Sequence, residues 1–358
     1  MLVHSRAESL SNGDWHSSQE FQEEAKKFHD KFAKPPPESI MKPAKQRNKM
    51  IVEEMRDYMR KEMNVVQKVD YTGSSFESLK IEATDLEFDV MVYLKGSEKL
   101  IKDTTNTPAG YTQLLVKPED VSHFKELKNK EGLLSSDLVQ RWFFGVMEKA
   151  RAALIEKGII TNENLTLHAS GPAVMMKVFK EDGSLWFTTD MVPTFELKSP
   201  SGNERYVAKA YKEIEKPGEV FTTWRRSSSV EEKDKMKSID KGSGCRRMCV
   251  RMLKAMKAKE STFAPLCTYF LKTTLMNLDR DEPNQSWEIS QLGECFIRLL
   301  KELYDCLRKE CLPNHFLPEM NLLESLKEKE RVLCNIANRL QVFINKKEKL
   351  LELFRKEI

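Results

Sequence analysis

The stretch EFDVMVYL, residues 87–94, constrains the fold more than any other part of the chain. Its period is two. Phe88, Val90 and Val92 therefore point to one face of a strand, and Glu87, Asp89, Met91 and Tyr93 to the other. The apolar positions require a sheet that is covered on at least one side. The two carboxylates then share a face, about 7 Å apart by strand geometry. Like charges placed this way repel and raise each other's pKa unless something positive lies between them. A divalent cation meets that need, because hard cations take oxygen ligands. Two solvated acids at a sheet edge are the plainer alternative, and the pair alone does not exclude it.

The flanking residues add weight. Thr72-Gly73-Ser74 lies just upstream, between a long helical pattern and a short helical turn. Glycine lets a backbone approach a phosphate closely, and a helix start offers unpaired N–H groups to an anion. SSFE also reads as a capping box in which Ser74 reaches Glu77, and both roles can hold together. A third acid, Asp190, lies among apolar neighbours in LWFTTDMVPTF. Three carboxylates on adjacent strands are what a two-metal phosphoryl-transfer site needs.

The rest of the chain sets the frame. A length of 358 residues holds one large domain or two lobes. A net charge of +4 is mild, so any nucleic-acid role must come from local clustering. No apolar run reaches the length of a membrane span, and the first residues contain no apolar signal core. Seven cysteines, an odd number, argue for reduced thiols and a cytoplasmic location. Residues 1–38 are polar and end in KPPPESI, which reads as a loosely attached N-terminal arm. A long helix is expected from Ile40 to about Met63. AVMMKVFKEDGSLWFTTDMVPTFEL reads as two strands joined at Asp182-Gly183. After Trp224 the strand signals fade, and four helical stretches follow. The predicted organisation is an α+β chain: an arm (1–38), a mixed α/β lobe (39–223) and a helical lobe (224–358).

The order Gly73-Ser74, Glu87-Phe88-Asp89 and Asp190 resembles the nucleotidyltransferase signature of a GS turn, a paired acid on a strand and a third acid on a neighbouring strand. In detail, TGSSFESLKI…EFDVMVYL looks like the branch of the Mab-21 family that holds cyclic GMP–AMP synthase and its receptor-like relatives. The resemblance spans nearly all of residues 40–340. It implies a two-lobed fold with a long spine helix, a metal triad of Glu87, Asp89 and Asp190 holding two Mg²⁺ ions (Mn²⁺ being the alternative), and ATP, GTP or other NTPs as substrates. It also implies nucleotide contacts at Thr72, Gly73 and Ser74. Arg225, Ser227 and Glu232 of TTWRRSSSVEE match a base-reading segment. Lys254 of RRMCVRMLK matches a phosphate contact, and Thr268 and Tyr269 of CTYFLKT match a base-stacking helix. SWEISQLGECF and NHFLPEMNLL look like the closing helices of the second lobe. Without the resemblance, Tyr269 would read as a core aromatic, and Arg225 and Lys254 as surface charges. Many relatives lack part of the triad and serve as silent adaptors, and that is the alternative reading.

One departure from the family is plain. The vertebrate enzyme inserts a zinc-binding thumb between the base-reading segment and the following helix. Here the gap has no His and only Cys245 and Cys249, whereas a structural zinc site takes four ligands, so no zinc is expected. Cys267, Cys295, Cys306, Cys311 and Cys334 fall on helical apolar faces and read as core thiols. From Lys233 to Lys259 there are ten Lys or Arg against two Asp. With Lys42, Lys45, Arg47 and Lys49 of the long helix, and with Lys233, Lys235, Lys237 and Lys241, they read as a basic face, or else as an ordinary solvated one. The family implies that such a face grips a nucleic-acid duplex and, without a thumb, that the duplex is RNA rather than DNA, with a dimer forming on it. Duplex RNA is met through phosphates and 2′-hydroxyls, by shape.

Overall fold

Pro35–Pro37 act as the boundary the sequence suggests, but what precedes them is not a loose arm. A computed structural model of the chain describes residues 15–357, apart from 201, 212–213, 216–218, 241–243 and 328–329. The chain forms two units. One holds Pro35–Ile239 and Phe316–Met320; the other holds Asp240–His315, the segment from Asn321 onward and the described residues up to Lys34.

The first unit is a mixed sheet with helices. The long helix α2 (Glu38–Lys61) starts directly after the prolines, as expected. Its Met41, Ala44, Ile51, Val52, Met55 and Met59 are buried at helical spacing. A second helix, α3 (Ser136–Glu156), was not among those read from the sequence. Its signals are ordinary: Ser135 accepts from the Leu138 N–H as the cap, and Val139, Phe143, Val146, Met147, Ala150 and Leu154 form the buried stripe. The strands are β1 (Val66–Thr72), β2 (Glu87–Leu94), β3 (Leu100–Asp103), β4 (Tyr111–Val116), β5 (Leu165–Ser170), β6 (Ala173–Phe179), β7 (Leu185–Ser199), β8 (Gly202–Val207) and β9 (Thr223–Ser227). They run in the order β1-β2-β7-β8-β9-β4-β3, with β6 also on β7 and β5 on β6. The predicted hairpin is β6–β7, and Gly183 takes φ +79° in its turn.

Strand β2 is more buried than a one-sided strand. Phe88, Val90 and Val92 enter the main core with α2 and α3, while Met91 and Tyr93 pack with Val207 in a second cluster. The polar alternation survives only at Glu87 and Asp89, where the strand begins.

The predicted division at 223/224 is corrected. TWRRS is strand β9, paired with both β8 and β4. Trp224 is fully buried, and its indole N–H donates to the Leu134 carbonyl at 3.0 Å. The following helix α4 (Ser229–Ser238) also stays with this unit. A two-sided sheet neighbour and a buried indole hold these residues here, and neither is readable from a five-residue stretch.

The second unit is helical: α5 (Arg246–Lys259), α6 (Thr268–Asp281), α7 (Leu292–Arg308), α8 (Glu324–Lys327), α9 (Glu330–Asn345) and α10 (Lys347–Arg355). NHFLPEMNLL is not a helix; residues 312–323 are turns and isolated bridges, with Asn321 bonding back to Leu312. Before the prolines, α1 (Gln19–Phe28) and a π-helical turn (His29–Ala33) belong to this unit. Ser18 caps α1 by accepting from the Phe21 N–H. Phe21, Ala25 and Phe28 are buried, and the Phe28 ring stacks on Phe354 of α10 at 4.2 Å. The buried Arg251 of α5 donates to the Ala33 carbonyl at 3.0 Å and to Nε2 of His29 at 3.1 Å. The arm reading fails because FQEEAKKFHDKFA carries an apolar stripe that composition alone conceals. Cys267, Cys311 and Cys334 are exposed, not core thiols; Cys295 and Cys306 are buried as expected. Among the described residues no helix is long and apolar enough to cross a membrane.

Phe28 is 2% exposed, so Phe28→Ala should destabilise the helical unit by about 3–5 kcal/mol. Urea unfolding of parent and variant measures this, and equal midpoints would show that α1 is not docked.

Candidate active site

Three strands build the site in one row. The antiparallel register of β1 on β2 sets Thr72 opposite Asp89, and the parallel register of β2 on β7 sets Asp89 beside Asp190. Glu87 lies one same-face position before Asp89. The three side chains converge, with ligand oxygens all within 4.8 Å of one another, which is closer than the backbone spacing alone requires. This is the one group among the described residues whose His, Cys, Asp or Glu side chains meet in this way.

The electrostatics match the geometry. Burial, and then the negative charge of Glu87, push Asp190 up to about 6. A carboxylate held this way lacks a countercharge. Lys80, 5% exposed, follows the turn and serves the other two acids: its charge interacts with Glu87, Asp89 and Asp85, while burial, the larger effect, lowers its pKa. Lys80 was missed in the sequence, where ESLKI gives no sign that its Lys turns inward. The remaining demand fits one or two divalent cations on the three carboxylates.

Gly73 is fixed by the same site. It takes φ +78°, and a Cβ there would lie 1.7 Å from Oδ2 of Asp89. No other residue fits between the turn and the acid. Residues 73–80 form tight turns rather than a regular helix: the N–H groups of Phe76 and Glu77 donate to the Gly73 carbonyl, and those of Leu79 and Lys80 to the Ser74 carbonyl. Ser75 donates to the Glu87 carbonyl at 2.5 Å, tying the turn to the start of β2.

The other expected residues are distributed between the units. Arg225 lies on β9, in register with Tyr111 and Val207. Ser227 shares a hydroxyl contact of 2.9 Å with Ser229. Glu232, in α4, is only 4% exposed. Lys254, Thr268 and Tyr269 belong to the helical unit, on α5 and at the start of α6. Tyr269 is half-buried, and its hydroxyl accepts from Asn314 at 2.9 Å.

The basic run is not one solvated face. The Lys233 ammonium donates to the Tyr71 carbonyl at 2.8 Å. Arg246 pairs with Asp279 and Asp240, and Arg247 with Asp240. Arg251 and Lys259 are buried. On α2, Lys45 lies over the Phe76 ring and Arg47 donates to the Ile159 carbonyl. Lys42, Lys49 and Lys237 are exposed and Lys235 partly so, while Lys241 lies outside the described residues. Cys245 and Cys249 are buried. A hydrogen bond from Cys249, together with burial, pushes the Cys245 thiol well above its usual range.

Two family profiles match the chain. The Mab-21 protein nucleotidyltransferase domain matches residues 75–238, and the Mab-21 protein HhH/H2TH-like domain matches residues 245–341. Among curated proteins, the chain is 29% identical over 301 residues to cyclic GMP-AMP synthase-like receptor 3 of Stylophora pistillata, covering 82% of this chain and 86% of that one. It is 24% identical to a cyclic GMP-AMP synthase-like receptor of Nicrophorus vespilloides, covering 83% and 84%. It is 25% identical to cyclic GMP-AMP synthase of Sus scrofa, covering 70% of this chain and 57% of the pig protein.

Two tests follow from this geometry. Gly73→Ala should displace Asp89 and remove the Mg²⁺-dependent rise in melting temperature, with the fold retained; an unchanged Mg²⁺ response would show that the close approach is not needed. Asp190 carries a folded pKa of about 6, above the value of about 3.9 usual for an unfolded Asp. Between those values the folded chain holds a proton that the unfolded chain does not, so stability falls as pH rises from about 4 to 6. Without divalent ions, Asp190→Asn should therefore be more stable than the parent at pH 8, and the gap should close near pH 4. Urea midpoints in EDTA at both pH values measure it.

Proposed function

Because the chain belongs to the Mab-21 nucleotidyltransferase family, we propose that it is a nucleic-acid-sensing enzyme that joins two NTPs, ATP and GTP by preference, into a cyclic dinucleotide for innate immune signalling in the cytoplasm. The observation that carries this reading is the intact triad with its converging oxygens. A silent scaffold has no use for three mutually repelling carboxylates around a glycine that cannot be replaced.

In this reading Glu87, Asp89 and Asp190 hold two Mg²⁺ ions, and no zinc is involved. When bound, the ions supply activation of the attacking ribose hydroxyl and neutralise charge on the α-phosphate and leaving pyrophosphate. In each transfer the hydroxyl oxygen forms a bond to the α-phosphorus, the bond to pyrophosphate breaks, and the hydroxyl proton passes to solvent. The chain's own residues do the holding. The Gly73-Ser74 turn, next to Thr72, presents backbone to the triphosphate. Arg225, Ser227 and Glu232 read one base. Tyr269, with Thr268, stacks on a base, and Lys254 meets phosphate. Asp190 must be ionised to act as a ligand, so transfer should decline as pH falls toward 6.

Double-stranded RNA, favoured over DNA, is the proposed activator, with a dimer forming on the duplex. The exposed Lys42, Lys49 and Lys237 and the partly exposed Lys235 provide the contacts. Contacts of this kind release counterions, so binding weakens steeply with salt.

The test is direct. Purified protein is incubated with the four NTPs and Mg²⁺, with duplex RNA, duplex DNA or neither, and products are resolved by chromatography. A cyclic dinucleotide should appear with RNA and be lost in the Glu87→Ala/Asp89→Ala variant. Product in the double variant would overturn the triad. Equal product with DNA would overturn the RNA preference. Binding of nucleotide or duplex without any product would favour the silent-adaptor alternative.

A further inference from the structure

The loop LPNH, residues 312–315, belongs to no helix and to none of the roles described above, yet it buries Asn314 and half-buries His315. Asn314 is 3% exposed, and its amide nitrogen donates to the Tyr269 hydroxyl at 2.9 Å. A buried amide in a connecting loop would ordinarily find a backbone partner. This one reaches the tip of a half-buried ring in the first turn of α6.

The loop is pinned so that it can do so. Asn277, two turns further along α6, uses both ends of its own amide. Its nitrogen donates to the Pro313 carbonyl at 2.9 Å, and its oxygen accepts from Nδ1 of His315 at 3.0 Å. The residues on either side of Asn314 are thus held by one side chain of the helix that carries Tyr269. Asn321 fixes the other end of the stretch, accepting from the Leu312 N–H at 2.9 Å. Asn277, like Asn314, is buried. All of these groups lie in the helical unit.

We infer that Asn314 is a positioning residue: it holds the Tyr269 hydroxyl and so fixes the χ1 rotamer, and with it the place, of the ring against which a nucleotide base stacks. The inference rests on the stacking role proposed above for Tyr269. The physical case is one of rotamer freedom. The Tyr269 ring also meets the Lys272 ammonium, 5.7 Å from its centroid, but only a directional bond at the hydroxyl discriminates between χ1 wells. Stacking needs the ring in one place, so ordering it in advance removes a cost from nucleotide binding. A neutral hydrogen bond of this kind changes an equilibrium by about threefold to tenfold.

The test is a double-mutant cycle on nucleotide KM and kcat, using Asn314→Leu, Tyr269→Phe and the pair together. Each single variant removes the same bond while keeping side-chain size. Each should raise nucleotide KM about threefold to tenfold with kcat little changed, and the pair should be no worse than the poorer single. Asn314→Asp, whose carboxylate can accept the Tyr269 O–H, should restore part of the loss. If Asn314→Leu leaves KM unchanged, or if the two losses multiply in the pair, the positioning role is overturned. Tyr269→Ala separates the layers. If it strongly raises KM while the cycle shows no coupling, the stacking role stands and the clasp falls; if it leaves KM unchanged, both fall. Melting temperatures of all variants show whether each is assayed well below its unfolding range.

Discussion

The structure depends on one pairing. The parallel register of β2 on β7 sets Asp89 beside Asp190 in the middle of a nine-stranded sheet. Parallel strands are normally buried on both faces, and along β2 the second face is buried at Met91 and Tyr93 but open at Glu87 and Asp89. The sheet core, supplied by Phe88, Val90 and Val92 against α2 and α3, overrides the repulsion of the carboxylates. Charge that would drive an isolated strand pair apart is thereby held within ligand distance. The turn above it is shaped to the same demand: Gly73 approaches so closely that a Cβ would overlap the Asp89 carboxylate. A site of this kind costs stability when empty and recovers it on binding cations, as expected where function overrides local preference.

The chain ends form a second theme. Neither family profile reaches α1, the π-helical turn or α10. These segments pack on one another through Phe21, Phe28 and Phe354, and Arg251 ties the turn to α5. The family core of the helical unit is thus extended by elements from opposite ends of the sequence. Since α5 also carries Lys254, its backbone is braced on the side that Arg251 faces. A guanidinium bonded to a carbonyl and a neutral imidazole is costly to bury, and breaking such a contact leaves a charge without compensation.

The basic residues show how far charge counting goes. Ten cations between Lys233 and Lys259 suggest a single binding stripe, but several are consumed internally by Asp240, Asp279, backbone carbonyls and aromatic rings. Paired cations contribute little to a long-range field. Lys42 and Lys49 of α2 and Lys237 of α4 stay exposed and Lys235 partly so, a smaller set than the charge count suggests.

The chemistry was legible in the sequence because it depends on residue type and short spacing. A period-two strand fixes Glu87 and Asp89 on one face, and a glycine marks a turn that must approach closely. The β6–β7 turn shows only that Asp190 lies on a strand; its place beside Asp89 is set by the β2–β7 pairing. The long helix α2 was legible for a similar reason, since its buried stripe repeats over many turns. What sequence could not decide was long-range. TWRRS is a strand only because β8 and β4 stand on either side of it, and the polar N-terminal stretch is a docked helix only because α7 and α10 supply surfaces for Phe21 and Phe28. Whether a cation such as Lys233 or Lys80 faces solvent, a carbonyl or a carboxylate is set by which elements pack beside it. The Asn277–Asn314–Tyr269 clasp joins residues about forty positions apart, and its partners are chosen by packing rather than by any local pattern. Local periodicity determined the elements and the acid pair; tertiary structure alone decided which polar groups were used up inside the fold and which were left for ligands.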